Sequence, residues 1–288
     1  MSTSPTLVNH ENPHGGSHEF DERSNYLRRQ IVRMLEQAKR GHVASAFSCV
    51  EILRVLYDDV LRYDPQQPRW LERDRCILSK GHAAMALYVL LADKGYFPES
   101  ELWEFCKPDG LLGGHPEYNR IPGVEASTGS LGHGLSIGIG LALNARYEKS
   151  DYRVFVICSD GETNEGSLWE AALSAAKHKL TNLVVLVDYN KQQSYGTTTE
   201  VLELEPFVDK WRAFGFATLE VDGHDSSQLH DALTRVPLNP EKPSVIVCHT
   251  IKGAGVSFVE RNLNWHHKNG PTAEEIAGLY AELGGKRA

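Results

Sequence analysis

Two apolar segments of strand length, separated by one segment of helix length, constrain the fold of this chain most. The first runs from Val154 to Cys158 and the second over 183–188, and the loop SDGETNEG and a helical pattern to about Lys179 lie between them. Buried strands of parallel sheets are near-continuous apolar runs, joined by helical crossovers. The spacing therefore predicts a βαβ unit. Ser167 and Glu170 form an S-x-x-E pattern that predicts a capping box at the start of the helix.

The rest of the chain continues this alternation. Apolar runs predict three more strands, at 75–79, 216–221 and 244–249. Helical spacing predicts helices at Glu22 to Ala38, Val50 to Leu61, 80 to about Lys94, Gly134 to Asn144, 206–214, 226–235, and Thr272 to about Leu283. Thr272 and Glu275 are predicted to form a capping box at the start of the last helix. Strands that alternate with helices predict an α/β fold, a parallel sheet with helices on both faces. We predict a flexible N-terminal tail over 1–18 and one domain over 19–288.

The composition limits which classes of binding partner and which cellular location we expect. The 288 residues are 41% hydrophobic, enough to bury a full core, and the formal net charge is −8. This charge gives no general attraction for nucleic acid or anionic membranes, so we expect neither as a partner. Five widely spaced cysteines without a CxxC pair predict reduced thiols. No signal segment or membrane span is apparent, so a cytoplasmic protein is expected.

Polar residues follow two neighbouring strands of the predicted unit. Asp160 comes after the first strand and Asn190 after the second. Both are expected at the carboxyl ends of the strands, where open α/β sheets bind ligands. Their oxygens, with a backbone carbonyl near Gln192, suit Mg²⁺ that shares phosphate oxygens, and Gly161 allows close approach of the main chain to a phosphate. Each feature alone is typical of a turn; the ordered combination favours a metal–diphosphate site.

The segment SDGETNEGSLWEAALSAAKHKLTNLVVLVDYN resembles the thiamine-diphosphate signature, in which an Asn follows G-D-G by about thirty residues. Ser159 stands where the family has its first Gly. Other segments resemble those of transketolases in the same order: RGHVASAFSCVEILRVLY, RDRCILSKGHAAMALYVLL, GGHPE, STGSLGHGLSIGIGLAL and TIKGAGVSF with NWHH. The resemblance covers nearly everything after the tail and identifies 19–288 as a thiamine diphosphate-binding (PP-type) domain.

The resemblance implies thiamine diphosphate and Mg²⁺ as cofactors, with Ca²⁺ or Mn²⁺ able to replace Mg²⁺. It implies Asp160, Asn190 and the Gln192 carbonyl as metal ligands. Other residues are implied at the cofactor: the Gly161 amide, His82 and His266 near the diphosphate, and the backbone of Gly129 and Leu131 at the ring system.

Four histidines match those that the family directs at the reactive carbon and the sugar hydroxyls: His42, His82, His115 and His266. A neutral imidazole can donate one hydrogen bond, accept another and move a proton near neutral pH. The family often has Gly after the last of these, whereas this chain has His267, so either neighbour could face the site; we favour His266. His133 and His224 are interpreted as structural. Glu165 matches a glutamate at the subunit interface, and a solvated loop charge is the alternative.

The family's activating glutamate belongs to a pyrimidine-binding domain that the resemblance does not cover. We therefore expect a complementary C-terminal transketolase subunit, in an α2β2 assembly that transfers a two-carbon ketol unit from a ketose to an aldose, with sugars or sugar phosphates as substrates. The alternatives are an alpha-type chain of a 2-oxo-acid dehydrogenase, a 1-deoxyxylulose-phosphate synthase-like protein, or a non-catalytic cofactor-binding module.

Overall fold

The computed structural model of the chain describes residues 19–285, so the predicted tail lies outside it. A five-stranded parallel sheet forms the centre, in the order β2-β3-β4-β6-β5, and β1 pairs antiparallel with β7. The strands in chain order are β1 (Arg40–Gly41), β2 (Arg75–Leu78), β3 (Val154–Ser159), β4 (Leu183–Tyr189), β5 (Ala217–Asp222), β6 (Ser244–His249) and β7 (Lys268–Asn269). The predicted parallel sheet is confirmed.

The α-helices flank this sheet. They are α1 (Glu22–Ala38), α2 (Val43–Phe47), α3 (Val50–Val55), α4 (Ala84–Asp93), α5 (Gly134–Tyr147), α6 (Gly166–Lys177), α7 (Thr198–Val201), α8 (Phe207–Ala213), α9 (Ser226–Thr234) and α10 (Ala273–Glu282). A π-helical turn over Leu56–Val60 continues α3, so the predicted second helix is only half α-helical. No helix within residues 19–285 is long and apolar enough to cross a membrane.

Each face of the sheet packs into its own core. In β3 the side chains of Val154, Val156 and Cys158 join one cluster with α5, α6 and α8, whereas Phe155 and Ile157 join the other with α1, α3 and α4. Successive side chains of a strand point to opposite faces, so a strand buried on both faces needs apolar residues throughout. This explains why the strands are continuous apolar runs.

The two predicted capping boxes have different outcomes. At α10 the box of Thr272 and Glu275 is present with both of its hydrogen bonds. At α6 the prediction is wrong: the N-cap is Glu165, without a side-chain capping bond. The helix begins at Gly166, one residue before the predicted cap, and Ser167 Oγ donates instead to the Gly132 carbonyl at 3.0 Å. Ser167 thus ties α6 to the glycine-rich turn before α5.

The pairing of β1 with β7 joins two loops that are far apart in sequence. Arg40 pairs with Asn269 and Gly41 with Lys268, and the Gly270 amide donates to the Lys39 carbonyl at 2.7 Å. One loop follows β1 and the other precedes β7. This contact brings both loops to the same side of the molecule.

Candidate functional site

Asp160 and Asn190 lie at the carboxyl ends of β3 and β4, as predicted. Asp160 is buried; one of its carboxylate oxygens accepts from the Gly161 amide at 2.7 Å and the other from the Lys191 amide. The Asn190 side-chain oxygen accepts from the Gln192 amide at 3.1 Å, and its amide nitrogen donates to Asp188 at 3.3 Å. Both side chains are therefore held by local hydrogen bonds.

The Asp160 carboxylate lies in surroundings that favour a bound cation. Within residues 19–285 it accepts no hydrogen bond from a lysine or arginine side chain. Burial and then the nearby Asp188 charge raise the pKa of Asp160, and the two amide bonds lower it only partly. A buried carboxylate with a raised pKa gains stability from a divalent cation, and oxygen donors suit Mg²⁺. The residues present therefore fit a hard metal ion.

A buried ion pair joins Lys80 to Asp188, the residue whose charge acts on Asp160. Asp188 also accepts from Ser48 Oγ at 2.6 Å and from the Thr250 hydroxyl. Burial is the largest single influence and would lower the pKa of Lys80, but the charge and hydrogen bond of Asp188, together with the nearby Cys49 and Asp160, raise that pKa overall. The network connects the loop after β2, the end of β4 and the loop after β6, and it contacts the Asn190 amide.

Lys252 brings a second buried ammonium group to the site. Its Nζ donates to the Gln192 carbonyl at 3.1 Å and to the Gln193 carbonyl at 3.4 Å, and no carboxylate within residues 19–285 forms an ion pair with it. Burial and then the Lys80 charge lower the pKa of Lys252. The carbonyl of Gln192, predicted as a metal ligand, therefore faces an ammonium group in this structure. Such an arrangement would gain from an anionic neighbour.

The glycine-rich turn before α5 packs against this region. Gly129 has a positive φ of 145°, and a Cβ there would lie 3.1 Å from His115 Cδ2. The buried Glu162 accepts from the Gly132 amide at 2.9 Å and from the Ser79 hydroxyl. Burial raises the pKa of Glu162. Its carboxyl group thus fixes the turn that contains Gly129 and Leu131 to the end of β2.

Five histidine rings gather beside the turn. The ring centroid of His42 lies 5.7 Å from that of His82, 6.2 Å from His115, 5.4 Å from His266 and 4.5 Å from His267, and those of His82 and His266 are 5.8 Å apart. The structure therefore brings together all four predicted histidines. The β1–β7 pairing accounts for the approach of His42 to His266 and His267.

The four predicted histidines of this cluster are held in the neutral form at neutral pH, because their surroundings lower the pKa of each. Burial, followed by the neighbouring imidazoles, lowers the pKa of His42 to about 3. Burial and then Lys252 lower the pKa of His266 to about 4, and burial also lowers those of His82 and His115. Neutral imidazoles both donate and accept hydrogen bonds, which suits a polyhydroxylated ligand.

His266 and His267 differ in their surroundings. His266 is half-buried near His82; its Nε2 is 3.0 Å from Ser194 Oγ, and its buried Nδ1 has no partner within residues 19–285. His267 is exposed and lines a cavity beside His42. His266 is thus the more buried of the two, beside His82, and His267 faces the open cavity.

The remaining predicted residues lie outside the histidine cluster. Glu165 is exposed at the start of α6, beside the Gly132 turn. His133 is exposed, with Nδ1 2.9 Å from the Leu131 carbonyl, and His224 is buried with its ring nitrogens bonded to Glu51 and the Ile251 amide. Both histidines have the geometry of structural residues.

Several buried polar atoms around the site lack a partner among the described residues, which indicates space for a polar ligand. They are Ser45 Oγ, Thr128 Oγ1, Gln192 Oε1, Gln193 Nε2 and His266 Nδ1. These residues are located in α2, the glycine-rich turn, the loop after β4 and the loop before β7, so they surround the strand ends from several sides. A diphosphate carrying a metal ion would satisfy such donors and acceptors.

Comparison with known proteins gives one family. The family described as "Transketolase, thiamine diphosphate binding domain" matches residues 21–287. Similar curated proteins include an apulose-4-phosphate transketolase subunit of Phocaeicola vulgatus, 41% identical over 89% of this chain and 90% of the relative. Another is the 6-deoxy-6-sulfo-D-fructose transketolase subunit SqwG of Clostridium sp., 39% identical over 92% of this chain and 96% of the relative.

Solved structures agree with the fold. The transketolase from Leishmania mexicana is similar with a TM-score of 0.85 and 31% identity, over 93% of this chain and 42% of that protein. The chain thus spans about two fifths of the length of this transketolase, whereas it covers nearly all of the two relatives that are named as transketolase subunits.

Proposed function

Since the chain belongs to the family of transketolase thiamine diphosphate-binding domains, we propose that it is the diphosphate-binding subunit of a two-chain transketolase. In this function a two-carbon ketol unit passes from a ketose to an aldose. One observation carries the proposal: four neutral histidines and the buried Asp160 lie in a single site. Among residues 19–285, no lysine or arginine side chain donates a hydrogen bond to the Asp160 carboxylate.

We propose that Asp160 and Asn190 would hold Mg²⁺, whose charge would offset that of the diphosphate. The unpartnered Nδ1 of His266 would donate to a phosphate oxygen, the Gly161 amide would do so in exchange for its bond to Asp160, and Lys252 would supply a compensating charge. The Gln192 carbonyl, which accepts one hydrogen bond from Lys252 Nζ and has a second lone pair, would be a third protein oxygen for the metal. Burial of Lys252 makes its ionic contact with a phosphate stronger than it would be in water.

The chain's own residues would then orient the sugar. When bound, thiamine diphosphate supplies a carbon nucleophile and an electron sink for cleavage of the bond next to the ketose carbonyl. His42 and His115 would hydrogen-bond sugar oxygens, while His266 would contact the diphosphate. Their pKa values are lowered, so these imidazoles are neutral at neutral pH, and each can donate one hydrogen bond and accept another. His82, next to these histidines, would contact the diphosphate of the cofactor.

A partner chain would complete the site with a pyrimidine-binding domain and its glutamate, in an α2β2 assembly. The exposed face of α5 and α6 supports this proposal: Ile137 is 38% and Leu173 59% exposed, and Glu165 lies at the start of α6. Exposed apolar groups on adjacent helices are typical of interfaces. We propose Glu165 as a residue of this contact.

The relatives suggest which sugars to test. They are named for apulose 4-phosphate and for 6-deoxy-6-sulfo-D-fructose, so a sugar phosphate and a sulfonated sugar are the first donors to assay. The chain, its complementary chain and their mixture are each assayed for glycolaldehyde transfer, with native mass measured in parallel. Activity only in the mixture, with a mass of two copies of each chain, supports the proposal.

Three results would oppose it. Full activity of this chain alone would refute the two-chain function. Oxidative decarboxylation of a 2-oxo acid without ketol transfer would favour the dehydrogenase alternative. A mixture that binds thiamine diphosphate but transforms no sugar would favour a non-catalytic module.

A further inference from the structure

A cavity of about 430 Å³ opens beside the histidine cluster. Its wall includes His42, His82, His115 and His267, together with part of the segment 105–115. The same wall carries three cationic side chains: Arg40, Lys107 and Arg120. None of the described residues that line it is Asp or Glu. Glu104 and Glu117 lie just outside this wall and pair with two of the three cations, so the uncompensated positive charge of the wall is that of Arg40.

The three cations differ in how far protein groups already satisfy them. Lys107 Nζ is 2.8 Å from Glu104, and Arg120 is 3.0 Å from Glu117 and donates to the Gly110 carbonyl at 2.6 Å. Arg40 forms no side-chain hydrogen bond and no ion pair with any residue of 19–285. Its guanidinium group therefore offers the free donors in this wall, five in a planar fork that matches a tetrahedral oxyanion.

The backbone places Arg40 beside the histidines. Arg40 belongs to β1, where it pairs with Asn269, and His42 follows two residues later. Both side chains line the same cavity together with His115, and its volume of about 430 Å³ is in the range of small-molecule sites. A sugar whose hydroxyls contact His42 and His115 would thus bring its far end within reach of the Arg40 side chain.

We propose that Arg40 is a specificity-determining residue that binds the terminal anionic group of the sugar, a phosphate or a sulfonate. Lys107 and Arg120 remain bound to Glu104 and Glu117, so the proposal assigns them no contact with the anion. The inference rests on the proposed ketol transfer, and it adds that this chain itself discriminates between charged and neutral sugars.

The experiment compares Arg40→Met with Arg235→Met in the assembled two-chain enzyme. Arg235 is an exposed arginine outside the cavity wall, so its variant removes the same charge elsewhere. Each enzyme is assayed with three acceptors of matched chain length: a phosphorylated, a sulfonated and a neutral aldose. We expect Arg40→Met to raise KM for the anionic acceptors ~10- to 100-fold, the usual effect of one charge-assisted contact. Turnover at saturation and kcat/KM for the neutral aldose should stay near wild type.

Arg40→Lys is the conservative variant. It keeps the charge but loses the planar fork, so it should recover part of the affinity for anionic acceptors. A rise in KM with only the phosphorylated or only the sulfonated acceptor would identify the natural group. Arg235→Met should match wild type with all three acceptors.

Other outcomes would overturn the inference. An unchanged KM for both anionic acceptors in Arg40→Met, or an equal loss with neutral and anionic sugars, would exclude anion binding by Arg40. Loss of the two-chain mass in Arg40→Met and Arg40→Lys would make Arg40 an interface residue instead. If the wild-type assembly transfers no ketol unit to any acceptor, the proposed function fails and this inference fails with it.

Discussion

Replacement of Lys80 by Met tests the buried ion pair beneath the site. The Met side chain has similar length but leaves the Asp188 carboxylate in a dry position without its cation. Removal of one partner of a buried pair costs ~3–5 kcal/mol of unfolding free energy. Asp188 keeps its hydrogen bonds from Ser48, Thr250 and Asn190, so we expect the lower end, ~3 kcal/mol. That is a large part of the ~5–15 kcal/mol that stabilises a typical domain.

The assay is urea denaturation of the purified chain, followed by far-UV circular dichroism at fixed protein concentration. Lys179→Met serves as the control, because Lys179 pairs with Glu241 at 3.5 Å on the surface, where both side chains are more than 60% exposed. Exposed pairs contribute ~0–1 kcal/mol. The double variant Lys80→Met/Asp188→Asn should recover part of the loss, since it no longer buries an unpaired charge.

A result within about 1 kcal/mol of wild type for Lys80→Met would refute this reasoning. It would mean that Asp188 is protonated or solvated in the folded chain, and that Lys80 is not its required partner. A double variant less stable than Lys80→Met would also contradict the explanation, because the hydrogen bonds of Asp188, and not its charge, would then dominate.

Three further predictions concern the site. Asp160→Ala or Asn190→Ala should abolish Mg²⁺-dependent binding of thiamine diphosphate in calorimetry while circular dichroism stays unchanged; undiminished affinity in both variants would exclude the metal assignment. His115→Ala should lower kcat ~10²-fold with cofactor binding retained, whereas the exposed His133→Ala should match wild type in the same kinetics. His42 has a pKa of about 3 when folded and 6.5 when unfolded, so only the unfolded chain takes up a proton below pH 6.5. The unfolding free energy should therefore fall between pH 6.5 and 3, by up to ~1.4 kcal/mol per pH unit for this residue, and fall less in His42→Asn; equal pH slopes in urea titrations would contradict this.

The five strands of the main sheet could be predicted from sequence because burial on both faces leaves an unbroken apolar signal. Each observed strand end lies within one residue of its prediction. The N-cap of α6 could not be predicted in this way. The S-x-x-E pattern at Ser167 is a genuine capping sequence, but the chain uses that hydroxyl to hold the Gly132 carbonyl. A local pattern cannot reveal that a distant group competes for the same donor.

The positions of site residues that belong to sequence motifs could be predicted. The contacts that arise from the pairing of two very short strands could not. Asp160 and Asn190 follow from topology alone, since parallel strands end at one edge. The approach of His42 to His266 depends on β1 and β7, two residues each, which are too short for any periodic signal. One signal did exist for Lys80: Asp188 lies within an apolar strand, and a buried carboxylate requires a counter-charge.

The lysine and arginine residues around the site have different roles because their partners differ. Lys80 is matched by a buried carboxylate, so its role is structural, and a bound ligand gains little from it. Lys252 contacts only carbonyl oxygens among the described residues, and burial lowers its pKa, so an anion beside it would restore a charge that the protein alone holds poorly. Arg40 is exposed and unpaired within residues 19–285, so it can bind a group that enters from solvent. A net charge of −8 reports none of this, because the sum counts each residue alike whereas binding depends on which cations remain without a protein partner.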